Sequence, residues 1–484
     1  MAATVLPNFL PALPEMFLAA AAMVLLLLGA YQRGHHVARE ISWLSVIVLV
    51  VATAMVVSFG LERQVSFYGM VVVDGFGVFM KTLVLIGAGL SLVLAIRFNE
   101  REGVARFEYP VLVLLSTAGM LVMISANDLI SLYLGLELQN LGLYVVASFQ
   151  RDQVRSTEAG LKYFVLGALS SGMLLYGASM VYGFAGTTNF DVLAHGFETA
   201  EAVSIGLLIG IVFVAVGLAF KVAAVPFHMW TPDVYEGAPT PATAFFSVAP
   251  KMAAMALFIR VMISPFGPLI DQWQQIIWAI SVASMILGAL AAINQRNIKR
   301  LMAYSSIGHV GYALIGLAAG TPTGVRGILI YMTIYLFMNV GTFAVILCMR
   351  RRGRAIEGIE DLAGLSRSQP ALALALGIFM FSMAGIPPLA GFFAKFYIFM
   401  AAIDAKLFVL AVIGVVTSVV GAYYYVRIVK IMYFDEPADP FDRPISRELK
   451  AVLVISAIVI LFFFIYPAPI VDAADAATHA LFPE

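Results

Sequence analysis

Long apolar stretches recur along the whole chain, separated by short polar segments. A helix needs about 20 apolar residues to cross the hydrocarbon core of a bilayer, and each stretch is long enough to do so. The pattern therefore predicts about fourteen membrane-spanning helices. The predicted spans are 12–31, 41–59, 75–96, 109–126, 128–149, 158–184, 203–224, 240–263, 273–293, 299–319, 325–348, 370–401, 406–430 and 450–466.

Composition supports an all-α polytopic membrane protein. The chain has 484 residues, of which 62% are hydrophobic and 12% charged, and its mean hydropathy is +0.95. Soluble domains contain roughly 45–50% apolar and about 25% charged residues. The longest polar stretches between spans, 350–369 and 431–449, are too short for a soluble domain. We therefore predict that residues 1–484 form a single integral membrane domain.

Charge and cysteine content exclude several classes of function. The 29 basic residues balance the 29 acidic residues, so no basic surface for nucleic acid is indicated. The single cysteine, Cys348, cannot form a disulfide framework, a thiolate-bound iron–sulfur cluster or a cysteine-rich zinc site. We expect no cofactor and no metal in this chain, and no nucleic-acid partner.

The distribution of basic residues between alternate loops predicts the orientation in the membrane, because lysine and arginine accumulate on the cytoplasmic side. Loops after odd-numbered spans hold nineteen of the 29 basic residues, most densely at 350–354, and the other loops with both tails hold three. Both termini are therefore predicted to be non-cytoplasmic. Loop 225–239 has no basic residue, so we expect it to fold into the protein. The first thirty residues lack basic residues, so the first span is expected to remain in the mature protein.

Ionisable side chains occur inside several predicted spans. An ionised side chain at the bilayer centre costs at least roughly 2.5–3.5 kcal/mol, so each one needs a reason. The main candidates are Glu137, Lys162, Lys221, Lys251 and Lys395, and the lesser ones are His309 and Lys81.

Glu137 lies halfway along the fifth span, within a polar stripe. Tyr133, Glu137, Asn140 and Tyr144 recur at helical spacing, so they share one face that is expected to contact protein or water. A structural hydrogen-bond seam between helices is the alternative. A protonatable relay residue is the favoured interpretation, because asparagine or glutamine would form such a seam without the cost of a charge.

Three lysines lie near prolines inside predicted spans. Lys221 precedes Pro226, Lys251 follows Pro250 directly, and Lys395 follows Pro388 in span 12. Proline disrupts the helical turn before it, so span 7 is expected to break around 222–226. Snorkelling of the lysine to the membrane surface is the alternative reading, and it is weakest for Lys251 and Lys395.

A file of such groups is a means of moving protons through a protein without a cofactor. In a buried glutamate–lysine pair, a change in the protonation of one partner alters the proton affinity of the other. His228 and His309 extend this file or are merely structural, since a neutral imidazole both donates and accepts a hydrogen bond. Lys162 lies one turn into its span, where a structural or snorkelling role is a strong alternative.

Spans 7 and 12 share a proline interruption and a neighbouring lysine, and they lie five spans apart. A five-helix unit has an odd number of spans, so its second copy must cross the membrane in the opposite sense. We therefore predict two inverted repeats, spans 4–8 and 9–13, with broken helices 7 and 12. The predicted divisions are 1–108 for the first three spans, 109–264 and 265–433 for the repeats, and 434–484 for the last span and tail.

Several motifs together resemble one known family. Residues 226–241 read Pro-Phe-His-Met-Trp-Thr-Pro-Asp-Val-Tyr-Glu-Gly-Ala-Pro-Thr-Pro, and the segments 135–139, 294–307 and 385–395 agree with the same assignment. These motifs resemble the antiporter-like proton-channel subunits of respiratory complex I and of multisubunit cation/proton antiporters. The Asp-Val-Tyr-Glu-Gly-Ala-Pro form is similar to the subunit N branch of bacterial complex I.

The resemblance implies a role for each candidate residue. Glu137 and Lys221 would form the input half of a proton path, Lys251 the central relay and Lys395 the output lysine, with Lys162 as a modulator. It also implies a bacterial inner-membrane complex that transfers electrons from NADH to quinone. FMN and iron–sulfur clusters are then expected in partner subunits. Other membrane subunits and the lipid bilayer are the expected direct partners, and NADH and quinone would act only through those subunits.

Two rival functions remain open at this stage. One is a subunit of a sodium/proton antiporter that carries out no redox chemistry. The other is a structural membrane scaffold whose buried charges only hold helices together. Copurification with flavin and iron–sulfur proteins would separate the redox-driven pump from the antiporter.

Overall fold

The computed structural model describes residues 8–32, 34, 36–199 and 203–482, so the chain ends lie outside the described residues. The described residues form nineteen α-helices. The first ten are α1 (Leu13–Tyr31), α2 (Val37–Ser58), α3 (Gly75–Arg101), α4 (Glu108–Ile124), α5 (Leu129–Ala147), α6 (Val154–Ala185), α7 (Phe190–Glu198), α8 (Ile205–Val222), α9 (Thr231–Gly237) and α10 (Thr240–Ile263). The others are α11 (Ile270–Ile293), α12 (Ile298–Ala319), α13 (Pro322–Cys348), α14 (Leu365–Ser368), α15 (Pro370–Ala384), α16 (Ala390–Asp404), α17 (Phe408–Phe434), α18 (Arg447–Phe462) and α19 (Ala468–Thr478).

Two short antiparallel hairpins accompany the helices. β1 (Gln64–Ser66) pairs with β2 (Val71–Val73), and β3 (Arg350–Arg351) pairs with β4 (Arg354–Ala355). The sequence pattern did not predict these hairpins or the short helix α7, because all three lie in the connections between apolar stretches. The all-α class is nevertheless confirmed, since both hairpins are confined to loops.

Eleven of the described helices are long and apolar enough to cross a membrane, and α4 and α15 are shorter apolar helices. Helices dominate because backbone groups within a bilayer must be satisfied inside the segment itself. Polar N-cap residues begin several helices. Asp74, Ser204 and Ser446 each accept a hydrogen bond from a backbone N–H in the first turn of their helices. Gly186 and Gly320 close α6 and α12 with left-handed backbone angles.

Predicted span 12, residues 370–401, is divided between α15 and α16. α15 ends at Ala384, and residues 385–389 separate it from α16. The predicted break in span 7 is likewise confirmed, since α8 ends at Val222 and Ala223 adopts a left-handed conformation. Both interruptions lie where the prolines predict them.

Helices α10, α12 and α13 form the buried centre of the molecule. Every residue of α10 is buried, and α12 and α13 are buried along almost their whole length. α1 and α2 lie at the periphery, where many large apolar side chains are exposed. Other parts of the protein therefore surround the three central helices, whereas many apolar side chains of α1 and α2 point outward from the protein.

Two buried ion pairs hold α3 in place, one to α10 and one to α1. Asp74 at the start of α3 makes a two-pronged contact with Arg260 of α10, and both N–O distances are 2.8 Å. Lys81 of α3 contacts Glu15 of α1 at 2.5 Å. Removing one partner of a buried pair costs about 3–5 kcal/mol, because the other charge is left uncompensated. Lys81 is thus explained by an interhelical ion pair.

Candidate functional site

The break after α8 places Lys221 at a helix end inside the protein. Its side chain is buried, and the chain then turns through residues 223–230 before α9 begins. Trp230 donates from Nε1 to the Phe220 carbonyl oxygen at 3.0 Å, so one backbone acceptor freed by the break is satisfied. Val225 donates its backbone N–H to Ser284 of α11 at 2.9 Å. The predicted burial of loop 225–239 is confirmed, since most of it is buried or half-buried.

Glu137 and Lys221 are joined through Asn140. Lys221 Nζ donates to Asn140 Oδ1 at 3.1 Å, and Asn140 Nδ2 donates to Glu137 Oε1 at 3.2 Å. Asn140 is fully buried, whereas Glu137 is half-buried. The amide therefore connects an ammonium group inside the protein to a carboxylate nearer its surface. The predicted polar stripe on α5 supplies two of these three groups.

Lys162 lies in a surface cluster, away from the hydrogen bonds that join Glu137, Asn140 and Lys221. Its Nζ contacts Asp233 at 2.7 Å and Glu158 at 2.8 Å, and its side chain is 41% exposed. Asp233 also accepts from Arg300 of α12 at 2.8 Å. Burial would raise the pKa of the Asp233 carboxyl, but hydrogen bonds from Lys162 and Arg300 lower it below its ordinary value. No ion pair among the described residues joins Lys162 to Glu137.

Lys251 lies in the buried centre and has hydroxyl groups as neighbours. Its Nζ donates to Ser306 Oγ, and Tyr335 donates its hydroxyl to the same oxygen at 2.7 Å. The ammonium nitrogen lies 5.5 Å from the ring centroid of Tyr235, a cation–π distance. Within the described part of the chain, Lys251 forms no ion pair. It is therefore a buried amine stabilised by hydroxyl and aromatic groups.

His309 on α12 is bonded on both ring nitrogens. Nδ1 lies 2.5 Å from the Tyr331 hydroxyl, and Nε2 lies 3.0 Å from the Tyr425 hydroxyl. Tyr425 also hydrogen-bonds Ser305 at 2.5 Å. A neutral imidazole in this position donates to one tyrosine and accepts from the other, so the ring connects α13 to α17 through α12.

Lys395 occupies the second break. Its Nζ donates to the carbonyl oxygens of Met383 and Ala384, at 3.0 and 3.1 Å, and to Ser418 Oγ at 2.8 Å. These carbonyls belong to the last turn of α15, where the helix dipole is negative and the backbone lacks partners. Gly385 has φ +86°, and a Cβ there would lie 3.3 Å from Lys395 Nζ. The break and the glycine together create the binding place of the ammonium group.

Lys395 also lies over the ring of Tyr312, with its Nζ 5.0 Å from the centroid. Tyr312 is on the same helix as His309, and their rings are 6.2 Å apart. No direct hydrogen bond joins Lys395 to His309 among the described residues. Side chains of α12 thus contact both Lys251 and Lys395.

The predicted residue His228 lies apart from the lysines, and several hydroxyl groups of the site were not predicted. His228 is half-buried between α8 and α9, and no hydrogen bond in the described part joins it to Lys221 or Lys251. Sequence reasoning missed the hydroxyl partners, which are Ser305, Ser306, Tyr331, Tyr335, Ser418 and Tyr425. The only available signal was the spacing of Ser306, His309 and Tyr312 along an apolar span, which places them on one face.

The arrangement can hold and transfer protons. It consists of buried amine, imidazole, amide and hydroxyl groups in four hydrogen-bonded clusters, around Lys221, Lys251, His309 and Lys395. Across the described ranges, no group of three or more His, Cys, Asp or Glu side chains is placed to hold a metal ion. Cys348 is a buried free thiol.

Comparison with protein families gives a match over most of the chain. A family described as NADH:quinone oxidoreductase/Mrp antiporter, transmembrane, matches residues 126–421. The chain is 60% identical to the NADH-quinone oxidoreductase subunit N of Rhodospirillum rubrum, over 97% of each chain. It is 62% identical to the subunit N of Methylobacterium nodulans, over 99% of each chain.

Solved structures share this fold. A chain of respiratory complex I from Thermus thermophilus with bound aureothin superposes with a TM-score of 0.82 at 31% identity, covering 96% of this chain and 99% of that one. A chain of the Mrp complex from a Dietzia species gives a TM-score of 0.86 at 23% identity, covering 98% of each chain. The second likeness shows the fold alone.

Proposed function

Because this chain belongs to the subunit N family of NADH-quinone oxidoreductase, we propose that its protons travel along the buried groups between Glu137 and Lys395. The protein is a proton-translocating, multi-pass membrane subunit of bacterial respiratory complex I, in which it assembles with other subunits. NADH oxidation and quinone reduction take place outside this chain. FMN and iron–sulfur clusters are assigned to partner subunits, since one cysteine cannot supply the thiolates of a cluster.

In the first step of the proposed path, Glu137 sets the charge that Lys221 experiences. A carboxylate stabilises a nearby ammonium group, and protonation of the carboxylate removes that stabilisation. Asn140 fixes both groups by donating to Glu137 and accepting from Lys221. The observation that carries this step is the unbroken connection through one buried amide. Lys162, which contacts Glu158 and Asp233 at the surface, keeps its proposed role as a modulator.

The second step passes through the buried centre. Lys251 is the central relay, and the hydroxyl of Ser306 connects it to Tyr335. His309 continues the path because its two nitrogens contact Tyr331 and Tyr425. An imidazole can accept a proton on one nitrogen while releasing one from the other. His228 stays a proposed accessory group at the first break.

The third step ends at Lys395, the proposed output lysine. Two carbonyl oxygens and one hydroxyl hold its ammonium form in place. The negative end of α15 stabilises the ammonium form of Lys395. Loss of the proton removes this attraction, so the neutral amine would take up a proton again once a proton donor is accessible. A release site at a helix break suits this chemistry, because irregular backbone at membrane depth occurs where it is buried or lines a wet cavity.

We also propose the finer architecture: about fourteen spans that include two inverted five-helix repeats, with broken helices 7 and 12. The same sequence spacing between closely packed positions in the two repeats supports this architecture. Gly119 of α4 faces Gln139 of α5 as Gly288 of α11 faces Gly308 of α12, and in each case an added Cβ would lie within 2.5 Å of backbone. The proposed divisions remain 1–108, 109–264, 265–433 and 434–484.

The proposed orientation places both termini on the non-cytoplasmic side of the bacterial inner membrane. A cysteine introduced by Ser368→Cys should react with an impermeant thiol reagent only when the reagent reaches the cytoplasmic face. The native Cys348 is buried, so a Cys348→Ser background supplies the control for unrelated labelling. Labelling of Ser368→Cys in intact cells would reverse the orientation.

Replacement of Glu137 tests the proposed path. Glu137→Gln keeps the shape and the hydrogen-bond acceptor but removes the negative charge, so NADH-driven proton pumping in inverted membrane vesicles should fall about tenfold or more. Glu137→Asp should retain more pumping than Glu137→Gln. Complex assembly, measured separately, should be unchanged. Normal pumping by Glu137→Gln would show that the α5 stripe is a hydrogen-bond seam and would refute the path.

A further inference from the structure

A positively charged cavity lies at the end of α3, outside the proposed proton path. It has a volume of about 670 Å³ and opens between α3, the start of α2 and the start of α18. The lining includes five basic residues, which are Arg39, Arg97, Arg101, Arg447 and Lys450, and two acidic ones, which are Glu100 and Glu448. The cavity lies at the end of the helices where the basic loops are concentrated, on the side proposed to be cytoplasmic.

Both carboxylates of the cavity are already engaged. Arg97 contacts Glu100 at 3.1 Å and Glu448 at 3.4 Å, and Arg39 contacts Glu100 at 3.8 Å.

The remaining basic side chains, Arg101, Arg447 and Lys450, are exposed and form no ion pair among the described residues. Asp442 does not line the cavity, and its carboxylate accepts the backbone N–H groups of Arg352 and Gly353. The cavity therefore keeps an excess of positive charge without an internal counter-ion.

Apolar side chains on α3 and α18 lie on the same helix faces as basic residues of the cavity, toward the centre of the membrane. On α3, the half-buried side chains of Ile86 and Val93 share a face with Arg97, at the spacing of successive helical turns. On α18, Val454 and Ile458 are 56% and 49% exposed and share a face with Arg447. A ligand that fits this surface has an anionic head and apolar chains.

We propose that this cavity binds the phosphate headgroup of an anionic phospholipid, whose acyl chains lie along α3 and α18. Arginine and lysine at the cytoplasmic interface attract anionic lipids, and basic pockets between membrane helices bind their headgroups. The guanidinium groups of Arg101 and Arg447 can each donate to phosphate oxygens through two N–H groups. The exposed apolar side chains of Val454 and Ile458 favour a lipid over free phosphate, which would gain nothing from them.

The test measures the lipid that stays bound to the protein. The purified complex is placed in phosphatidylcholine bilayers with increasing phosphatidylglycerol, and the phosphatidylglycerol retained after extraction is counted per complex. Removing one interfacial cation should weaken retention about fivefold. Arg447→Gln alone should show that loss, and the triple variant R101Q/R447Q/K450Q should lose roughly a hundredfold. The control R151Q/R352Q/R354Q removes three exposed cations at the same end of the molecule but outside the cavity, and should retain lipid like wild type.

Several results would overturn the proposal. Equal lipid retention by wild type and R101Q/R447Q/K450Q would show that the cavity does not select anionic lipid. An equal loss in R151Q/R352Q/R354Q would show diffuse surface charge instead of a site. Displacement of phosphatidylglycerol by millimolar inorganic phosphate would assign the cavity to free phosphate. Crosslinking of Arg447→Cys to a neighbouring subunit in the intact complex would assign it to a protein contact.

Discussion

Helices α5 and α12 carry polar stripes of the same spacing but of different chemistry. Asp128 caps α5 as Asn297 caps α12, each accepting backbone N–H bonds in the first turn. Counted from these caps, Glu137 of α5 matches Ser306 of α12, and Asn140 matches His309. The first stripe contains a half-buried carboxylate, whereas the second contains a hydroxyl and an imidazole that are both buried.

We propose that the first unit, which contains α5, and the second unit, which contains α12, perform two different tasks. In the proposed path, the half-buried carboxylate of Glu137 acts on Lys221 through Asn140, which hydrogen-bonds both groups. In the second unit, neutral groups that both donate and accept lie on α12 between the contacts of Lys251 and Lys395. In the proposed path, a charge in the first unit therefore controls proton affinity, and hydroxyl and imidazole groups in the second unit conduct. Substitutions in the two units test this difference.

The largest effect is expected at Lys395, the end of the conducting unit. Arginine keeps the positive charge but does not release its proton in proteins. If proton release is required, Lys395→Arg and Lys395→Ala should both reduce NADH-driven pumping in vesicles by more than about tenfold. NADH–quinone turnover and assembly of the complex should be measured on the same membranes.

Ser418→Ala serves as the matched control for Lys395. It removes one hydrogen bond of the ammonium group and leaves the amine and both carbonyl contacts in place. We expect it to retain most of the pumping. A fully active Lys395→Arg would leave Lys395 only an electrostatic role, and the two units would then differ less than proposed.

The charged half of this comparison was accessible from the sequence, but in the neutral half only His309 was. A lysine or glutamate in an apolar span is conspicuous because its burial is costly, so Glu137, Lys221, Lys251 and Lys395 stand out. A serine or tyrosine in such a span carries no comparable signal. The contact between Tyr425 and Ser305 joins residues 120 positions apart, which only the packing of α12 against α17 creates.

The fold shows the same limit. Apolar length predicted the eleven long apolar helices, and Pro226 and Pro388 predicted the positions of both breaks. Sequence alone gave no indication that Asn140 would stand between Glu137 and Lys221, because the bridge depends on where the end of α8 packs against α5. It also left Lys81 unexplained, since its partner Glu15 lies on another helix.

An intermediate effect is expected at Asn140, the bridge of the controlling unit. Asn140→Leu removes the acceptor of Lys221 and the donor to Glu137, so both groups lose a buried hydrogen bond. A buried polar group left without its partner costs about 1–3 kcal/mol, more if charged, so pumping should fall about tenfold. The measurement is NADH-driven proton uptake by vesicles, normalised to assembled complex.

Two variants give this experiment its meaning. Ser171→Ala removes only the long 3.5 Å contact of Asn140 with Ser171, so pumping should stay near wild type. His309→Leu removes the imidazole at the matching position of the conducting unit and should also impair pumping. If His309→Leu is defective while Asn140→Leu pumps normally, the link from Glu137 to Lys221 does not control transport, and the first unit needs a different role.

The smallest effect is expected at Lys162, on the surface of the controlling unit. Its contacts with Glu158 and Asp233 are solvent-accessible, and exposed ion pairs contribute about 0–1 kcal/mol. Lys162→Gln should therefore lower pumping less than about fivefold, and the loss should shrink at high salt, which screens exposed charges. Asp233→Asn should cost more, because Asp233 also contacts Arg300 and so connects α9 to the second unit. A salt-independent loss in Lys162→Gln as large as that of Asn140→Leu would mean that Lys162 acts on Glu137 directly, and the controlling group would then be a triad of Glu137, Asn140 and Lys162.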